Sequence, residues 1–244
     1  MNQGHVFTED AFLLHHRSYR DTSKIVDLLT ESQGIISLVA KGVRTSKKGG
    51  MLPLQPMQKI RISWSSKSSL GTLRDIDLLK TYPYIDGDKQ LSVFYINEIL
   101  IKIFEKYNED KRLYQSYVNY IENISTKDWI PRLRFFEMEL LKILGYYPNF
   151  ELDHRGESID MKRYYGFDND RGFVMSQSAE IKKNLYVGKC ISSIRKGDLV
   201  SKEAQALCKL IFRLFLNAQF SGIRVNTRGV MSDILRLDLG SKRS

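Results

Sequence analysis

Two apolar periods divide this chain, and the change from one to the other limits the folds open to it. From Val6 to about Lys80 the text reads as "AFLLHH", "KIVDLLTE", "GIISLVAKG", "MQKIRISW" and "LGTLRDIDLLK", split by the polar "RSYRDTS", "ESQG" and "SSKSS". Runs this short, several rich in Ile and Val and bounded by turn residues, are strands. Five of them in about 75 residues predict a small barrel. In "QKIRISW" strict alternation places Lys59, Arg61 and Ser63 on one face and Ile60, Ile62 and Trp64 on the other. One face is then core and the other is free to meet an anion.

After the connector "YPYIDGD" the period becomes helical. "KQLSVFYINEILIKIFEKY" is apolar on most sides, with Asn97, Glu98, Lys102 and Glu105 as a narrow polar strip, which predicts a largely buried helix. "DWIPRLRFFEMELLKILGYYP" has Asp128 as a cap, Pro131 in the first turn, Gly145 as a stop and Pro148 beyond it. "SKEAQALCKLIFRLFLNAQF" sets Ala204, Leu207, Cys208, Ile211, Phe215 and Ala218 on one stripe, opposite Lys202, Gln205, Lys209 and Arg213. "RYYGFDNDRGFVMS" reads as a hairpin turning at Asp168 to Gly172. The expectation is an α+β, two-domain chain: a five-stranded β-barrel over residues 1–81, then a mainly helical domain over 82–244 that carries a short β-hairpin.

Catalytic patterns fail on spacing. Asp75 and Asp77 share one strand face, but no third acid lies near to complete a Mg²⁺ site. "DNDRG" starts like a calcium loop, yet position 5 is Gly172 and position 12 is Ala179. His15 and His16 point to opposite strand faces without a partner at ligand spacing, and neither Cys190 nor Cys208 has a second Cys or His two to four residues away. No "GxxxxGK" or "GxSxG" occurs. The residues therefore point to a binding protein, not an enzyme, with no cofactor and no metal.

Charge says what is bound. Lys and Arg number 38 against 28 acids, a formal +10, and such a field favours polyanions. The surplus is concentrated: between Glu31 and Asp75 lie Lys41, Arg44, Lys47, Lys48, Lys59, Arg61, Lys67 and Arg74 with no acid among them. "AKGVRTSKKGG" adds glycines at 42, 49 and 50, which let backbone approach a phosphate. Tyr19, between Arg17 and Arg20 in a turn, is the stacking candidate, whereas alternation sends Trp64 to the core. Arg224 and Arg228 extend the basic track toward the C-terminus. The N-terminus lacks a secretory pattern, and no window approaches the roughly 18 apolar residues of a membrane span. Two cysteines suit a reducing compartment, so a cytoplasmic protein without a membrane partner is expected.

Four stretches in order, "LVAKGVR" with its basic loop and "LPLQP", "YINEIL" at 95–100, "RFFEMELLKILGYYPNF" at 134–150, and "NTR" at 226–228, resemble the RecO family of recombination mediators across residues 6–236. The resemblance implies an oligonucleotide-binding (OB) barrel and a helical second domain. It implies a bacterial, nucleoid-associated role in recombination and repair of DNA damage: binding of single- and double-stranded DNA, annealing of complementary strands, and work with RecR and single-stranded DNA-binding protein (SSB) in loading RecA. Many relatives carry a four-cysteine zinc module after the Gly-Tyr stop; "ELDHRGESIDMKRYYGFDND" has no cysteine, so that module is expected to be absent. An acidic SSB tail with an apolar tip needs cations around a greasy pocket, for which Arg132 and Arg134 with Phe136, Leu140, Leu141 and Leu144 are the candidates. The same charge would serve an RNA-binding barrel of translation or RNA processing, since backbone contacts do not by themselves separate DNA from RNA. A metal-dependent nuclease and a membrane-surface role fit less well, for want of an acidic cluster and of a basic amphipathic helix.

Overall fold

The computed structural model describes residues 6–41, 55–65, 70–82, 85, 87–104, 110–177, 184–220 and 227. It divides into two compact units, Met1–Ser125 with Arg224–Ser244, and Thr126–Ile223.

The first unit is built on the expected barrel. Strands β1 (Val6–Tyr19), β2 (Ser23–Thr30), β3 (Gly34–Ala40), β4 (Gln58–Ser65) and β5 (Gly71–Thr81) close in the order β1-β2-β3-β5-β4. All pairs are antiparallel except β3 with β5. Period-two alternation sends Ala11, Leu13, Val26, Leu28, Ile36, Leu38, Ile60, Ile62, Trp64 and Leu73 into one core, with Phe7 stacked on Trp64 at 4.5 Å between ring centroids. Gly71 is required by close approach: a Cβ there would sit 2.7 Å from Leu38 Cδ2 and 3.1 Å from the Trp64 ring.

Helices α1 (Gly87–Ile103) and α2 (Lys111–Asn123) belong to this same unit. Alternation is suspended at Ala11–Leu14, where four successive residues are buried. Phe12 faces away from the barrel core and meets Tyr117 of α2 edge-on at 5.2 Å. Asn97 corrects the polar strip expected on α1. It is 2% exposed, donates Nδ2 to the Leu14 carbonyl at 3.0 Å and accepts from the Tyr117 hydroxyl at 2.8 Å, so it satisfies two buried polar groups at the barrel wall. Helix α2 starts at Asp110, whose carboxylate accepts from the Arg112 backbone N–H. The change from strand to helix falls near residue 82, while the compact unit runs on to Ser125.

The second unit holds α3 (Trp129–Leu144), a three-stranded sheet of β6 (Tyr164–Asp168), β7 (Gly172–Met175) and β8 (Tyr186–Val187), and α4 (Gly188–Arg195) and α5 (Lys202–Gln219). Gly145 ends α3 at φ 80°, as the stop predicted. Asp128 occupies the cap position but makes no side-chain capping bond, a correction to its expected role. On α5 the stripe from Ala204 to Phe215 is buried, and Ala218 is exposed instead of continuing it. The hairpin pairs Asp168 with Gly172, and Asp168 accepts from the Asp170 and Arg171 backbone N–H groups. The cysteine-free stretch after α3 is closed the same way. Asn149 accepts from Glu151 and Leu152, Asp153 from Arg155 and Glu157, and Asp160 from Lys162.

Candidate nucleic-acid interface

Lys41 is exposed at the end of β3. The loop cations Arg44, Lys47 and Lys48, like Lys67, Arg224 and Arg228, lie outside the described residues. The other candidates divide by whether a carboxylate already holds them.

Lys59 and Arg61 project outward from β4, as alternation required, but they are not unopposed. Antiparallel pairing sets Asp10 of β1 opposite Arg61. Lys59 Nζ lies 3.0 Å from Asp10 Oδ2, and Arg61 places both Nη2 and Nε 3.0 Å from Asp10 Oδ1. Burial alone would raise the Asp10 pKa, but hydrogen bonds from Lys59 and Arg61 outweigh it and hold the carboxyl below its usual range. Arg61 also borders a cleft of about 490 Å³ whose wall includes Glu9, Asp10, Glu31, Ser32 and Lys111. A sequence span free of acids is thus not an acid-free surface, a correction that follows from closing the barrel. Arg74 is exposed and donates Nε to Ser65 Oγ at 3.0 Å, a bond to a neutral hydroxyl that leaves its charge unopposed by any described ion pair.

On β1 beyond the barrel core, Arg17 Nη1 lies 3.2 Å from Asp27 Oδ2. Asp27 is 3% exposed; it also receives the Ser37 hydroxyl and lies 3.5 Å from His15 Nδ1. Arg20, at φ 52° in the hairpin turn, extends its guanidinium over the Tyr19 ring, 5.2 Å from the centroid. One face of the Tyr19 ring is thus covered by a cation. Trp64 is 1% exposed and cannot stack a base. Among the described residues, those holding a positive side chain clear of any carboxylate on the barrel include Arg20, Lys24 and Lys41. Lys24 was not among the sequence candidates, because a single lysine at a strand start carries no pattern.

The proposed tail pocket on α3 changes more. Arg134 is buried (4% exposed), with Nη1 2.6 Å from Glu137 Oε2, and Phe136, Leu140 and Leu141 are buried beside it. Phe136 and Leu140 stand four apart and Arg134 and Leu141 seven apart, so the two pairs form adjacent rows within the broad buried arc of α3. They are corrected to structural residues. Arg132, bonded through Nε to Thr126 Oγ1, and Leu144 are half-buried. Accessible aromatic surface on α3 includes Phe135, 41% exposed, and the tyrosines that follow its C-terminal end. The Lys142 ammonium lies over the Tyr147 ring at 4.7 Å, and half-exposed Tyr146 packs on Phe215 at 4.9 Å. In the first unit, Thr227 of "NTR" gives both its backbone N–H and its hydroxyl to Glu98 Oε2, at 2.9 and 2.6 Å.

Among the described residues no group of three or more His, Cys, Asp or Glu is placed to hold a metal ion, and no helix is long and apolar enough to cross a membrane. Both thiols are buried, and burial pushes Cys190 up to about 11 and Cys208 to about 12, which makes them inert at neutral pH.

The model for the recombination protein O N-terminal domain matches residues 1–82, and that for its C-terminal domain residues 85–230. DNA repair protein RecO of Marinobacter nauticus is 28% identical over 236 residues, covering 94% of this chain and 96% of its own. The protein of the same name from Haemophilus influenzae is 31% identical over 208 residues, covering 84% and 87%. The Xylella fastidiosa one is 38% identical over 162 residues, covering 66% and 67%.

Proposed function

The chain belongs to the recombination protein O family of DNA repair proteins, and from that premise we propose that it is a mediator that binds single- and double-stranded DNA and anneals complementary strands. It works in the bacterial cytoplasm at the nucleoid, with RecR, on strands coated by SSB, and so promotes RecA loading. Annealing brings two polyanions together, and a protein that neutralises phosphates lowers their repulsion without a catalytic group. The observation that carries this reading is the combination of a closed five-stranded barrel with cations at the β1–β2 hairpin and the end of β3 that no described carboxylate neutralises. Tyr19, Arg20 and Lys41 line the DNA path, joined by Arg44, Lys47, Lys48, Arg224 and Arg228. Arg17, Lys59 and Arg61 join when strand binding outcompetes Asp27 and Asp10.

For the acidic SSB tail, the aromatic end of α3 supports docking: Lys142, which is also paired with Glu139 at 2.7 Å, supplies charge, and Tyr146, Tyr147 and Leu144 supply apolar surface, whereas Arg132 lies in the first turn at the other end of the helix. The test is to mix complementary strands coated with SSB and follow their pairing. Faster pairing with the chain present is expected. No acceleration, or stronger binding to RNA than to DNA of the same sequence, would replace this reading with that of an RNA-binding barrel.

A further inference from the structure

At one rim of the barrel the inward-facing side of the sheet continues past the core. His16 lies opposite Val26, Ser18 opposite Lys24, and Lys24 opposite Ala40. Val26 and Ala40 are core residues at 0% exposure. Paired residues share a face of a sheet, and residues two apart on a strand share it too. His16, Ser18 and Lys24 therefore stand together on the barrel's inner face, just beyond the last apolar side chains. His16 is exposed there and Lys24 half-buried.

The opposite face of the same hairpin is balanced differently. There His15 and Arg17 both approach the buried carboxylate of Asp27. Among the described residues no carboxylate pairs with His16 or Lys24. The charged groups that act on His16 are Lys24 from β2 and His15 from its own strand; α1 contributes the uncharged Asn97 at Leu14. One rim position thus carries a permanent cation and a titratable ring on a single face.

We propose that His16 and Lys24 form a phosphate site that holds one backbone phosphate of a nucleic-acid strand at the barrel rim, and that His16 engages it as the imidazolium. The site rests on the nucleic-acid reading above and adds to it a proton taken up on binding. In the free protein burial, then Lys24, then His15 push the His16 pKa below its ordinary value, so the ring is neutral at pH 7. A bound phosphate cancels the repulsion from Lys24 and favours the protonated ring. Affinity then rises as pH falls through the window between the bound and free values, and levels off below the free one.

The test uses the full chain and a labelled oligothymidylate, titrated by fluorescence anisotropy at pH 8, 7 and 6 and constant ionic strength. Wild type should tighten by about three- to tenfold from pH 8 to 6, within the limit of about tenfold per pH unit for one linked proton. His16→Gln should flatten that dependence, while the control His154→Gln, in the second unit, keeps it. Lys24→Gln should weaken binding at every pH and reduce the log–log salt slope by about 0.7, one phosphate contact on single strands. Wild-type pH dependence in His16→Gln together with a wild-type salt slope in Lys24→Gln overturns the rim site and leaves the DNA-binding reading standing. Absence of salt-dependent binding by wild type overturns both. Should a variant misfold, the His16 imidazole resonances of wild type serve: an upward shift of the ring's titration on adding oligonucleotide is expected, and an unmoved titration overturns the proposal.

Discussion

Arg134 and Glu137 show how a residue's neighbours decide its role. The sequence offers Arg134 as a surface cation ahead of an apolar run, whereas folding places its side chain at 5% exposure and that of Glu137 at 1%, 2.6 Å apart. Removing one partner leaves the other charged in a low-dielectric interior. Arg134→Met should cost about 3–5 kcal/mol, and the double variant Arg134→Met, Glu137→Leu should recover most of that loss. Urea denaturation of both variants checks it, and a single variant as stable as wild type would mean the pair is solvated. Asn97 is the corresponding hinge in the first unit. Asn97→Ala removes its bonds to both the Leu14 carbonyl and the Tyr117 hydroxyl, for an expected loss of about 2–4 kcal/mol, against about 1 kcal/mol for Tyr117→Phe, which leaves the Leu14 bond in place. Equal losses in the two variants would show that the Leu14 contact contributes nothing.

Strands were legible as elements because their apolar residues alternate against one core; four of the five runs and the hairpin at Asp168–Gly172 are where the text places them, while β1 runs on through Arg17, Ser18 and Tyr19, which the polar text assigns to a turn. Helices α2 and α4 were not. The stripe of α2 is largely tyrosine, Tyr114, Tyr117 and Tyr120, whose hydroxyls disguise an apolar face, and α4 spans only 8 residues, too few for a period to show. Asp10 was equally hidden, since it meets Arg61 from 51 residues away through the β1–β4 seam. That seam should be sensitive to pH. The Asp10 carboxyl is held below its unfolded value, so its stabilisation is fully present above the unfolded carboxylate range and is lost as pH falls through the folded value. The difference in denaturation midpoint between wild type and Asp10→Asn should therefore be largest at pH 6–7 and shrink on acidification toward pH 3. A difference that stays constant with pH would remove charge from the explanation.

Across the whole molecule, the surplus of +10 bears on function only through cations that can reach a phosphate, and the barrel distributes them unequally. A strand that engages about five phosphates gives a log–log salt slope of about −3.5. Charge reversal of Lys41, Arg44, Lys47 and Lys48 to Glu should flatten that slope and weaken binding if the β3 end and the residues after it form the main path. Asp10 makes the opposite prediction, and it separates local geometry from net charge. Asp10→Asn changes the total by a single unit but releases two cations, Lys59 and Arg61, from their ion pairs. If availability governs binding, this variant should tighten single-stranded DNA and steepen the slope by about 1.4, two phosphate contacts. Were net charge alone in control, Glu157→Gln, exposed on the second unit and with no described ion pair, would act equally. Anisotropy titrations of the two variants from low to moderate salt distinguish these, and equal slopes for them would place the field of the whole molecule, rather than the β4 face, in command of binding.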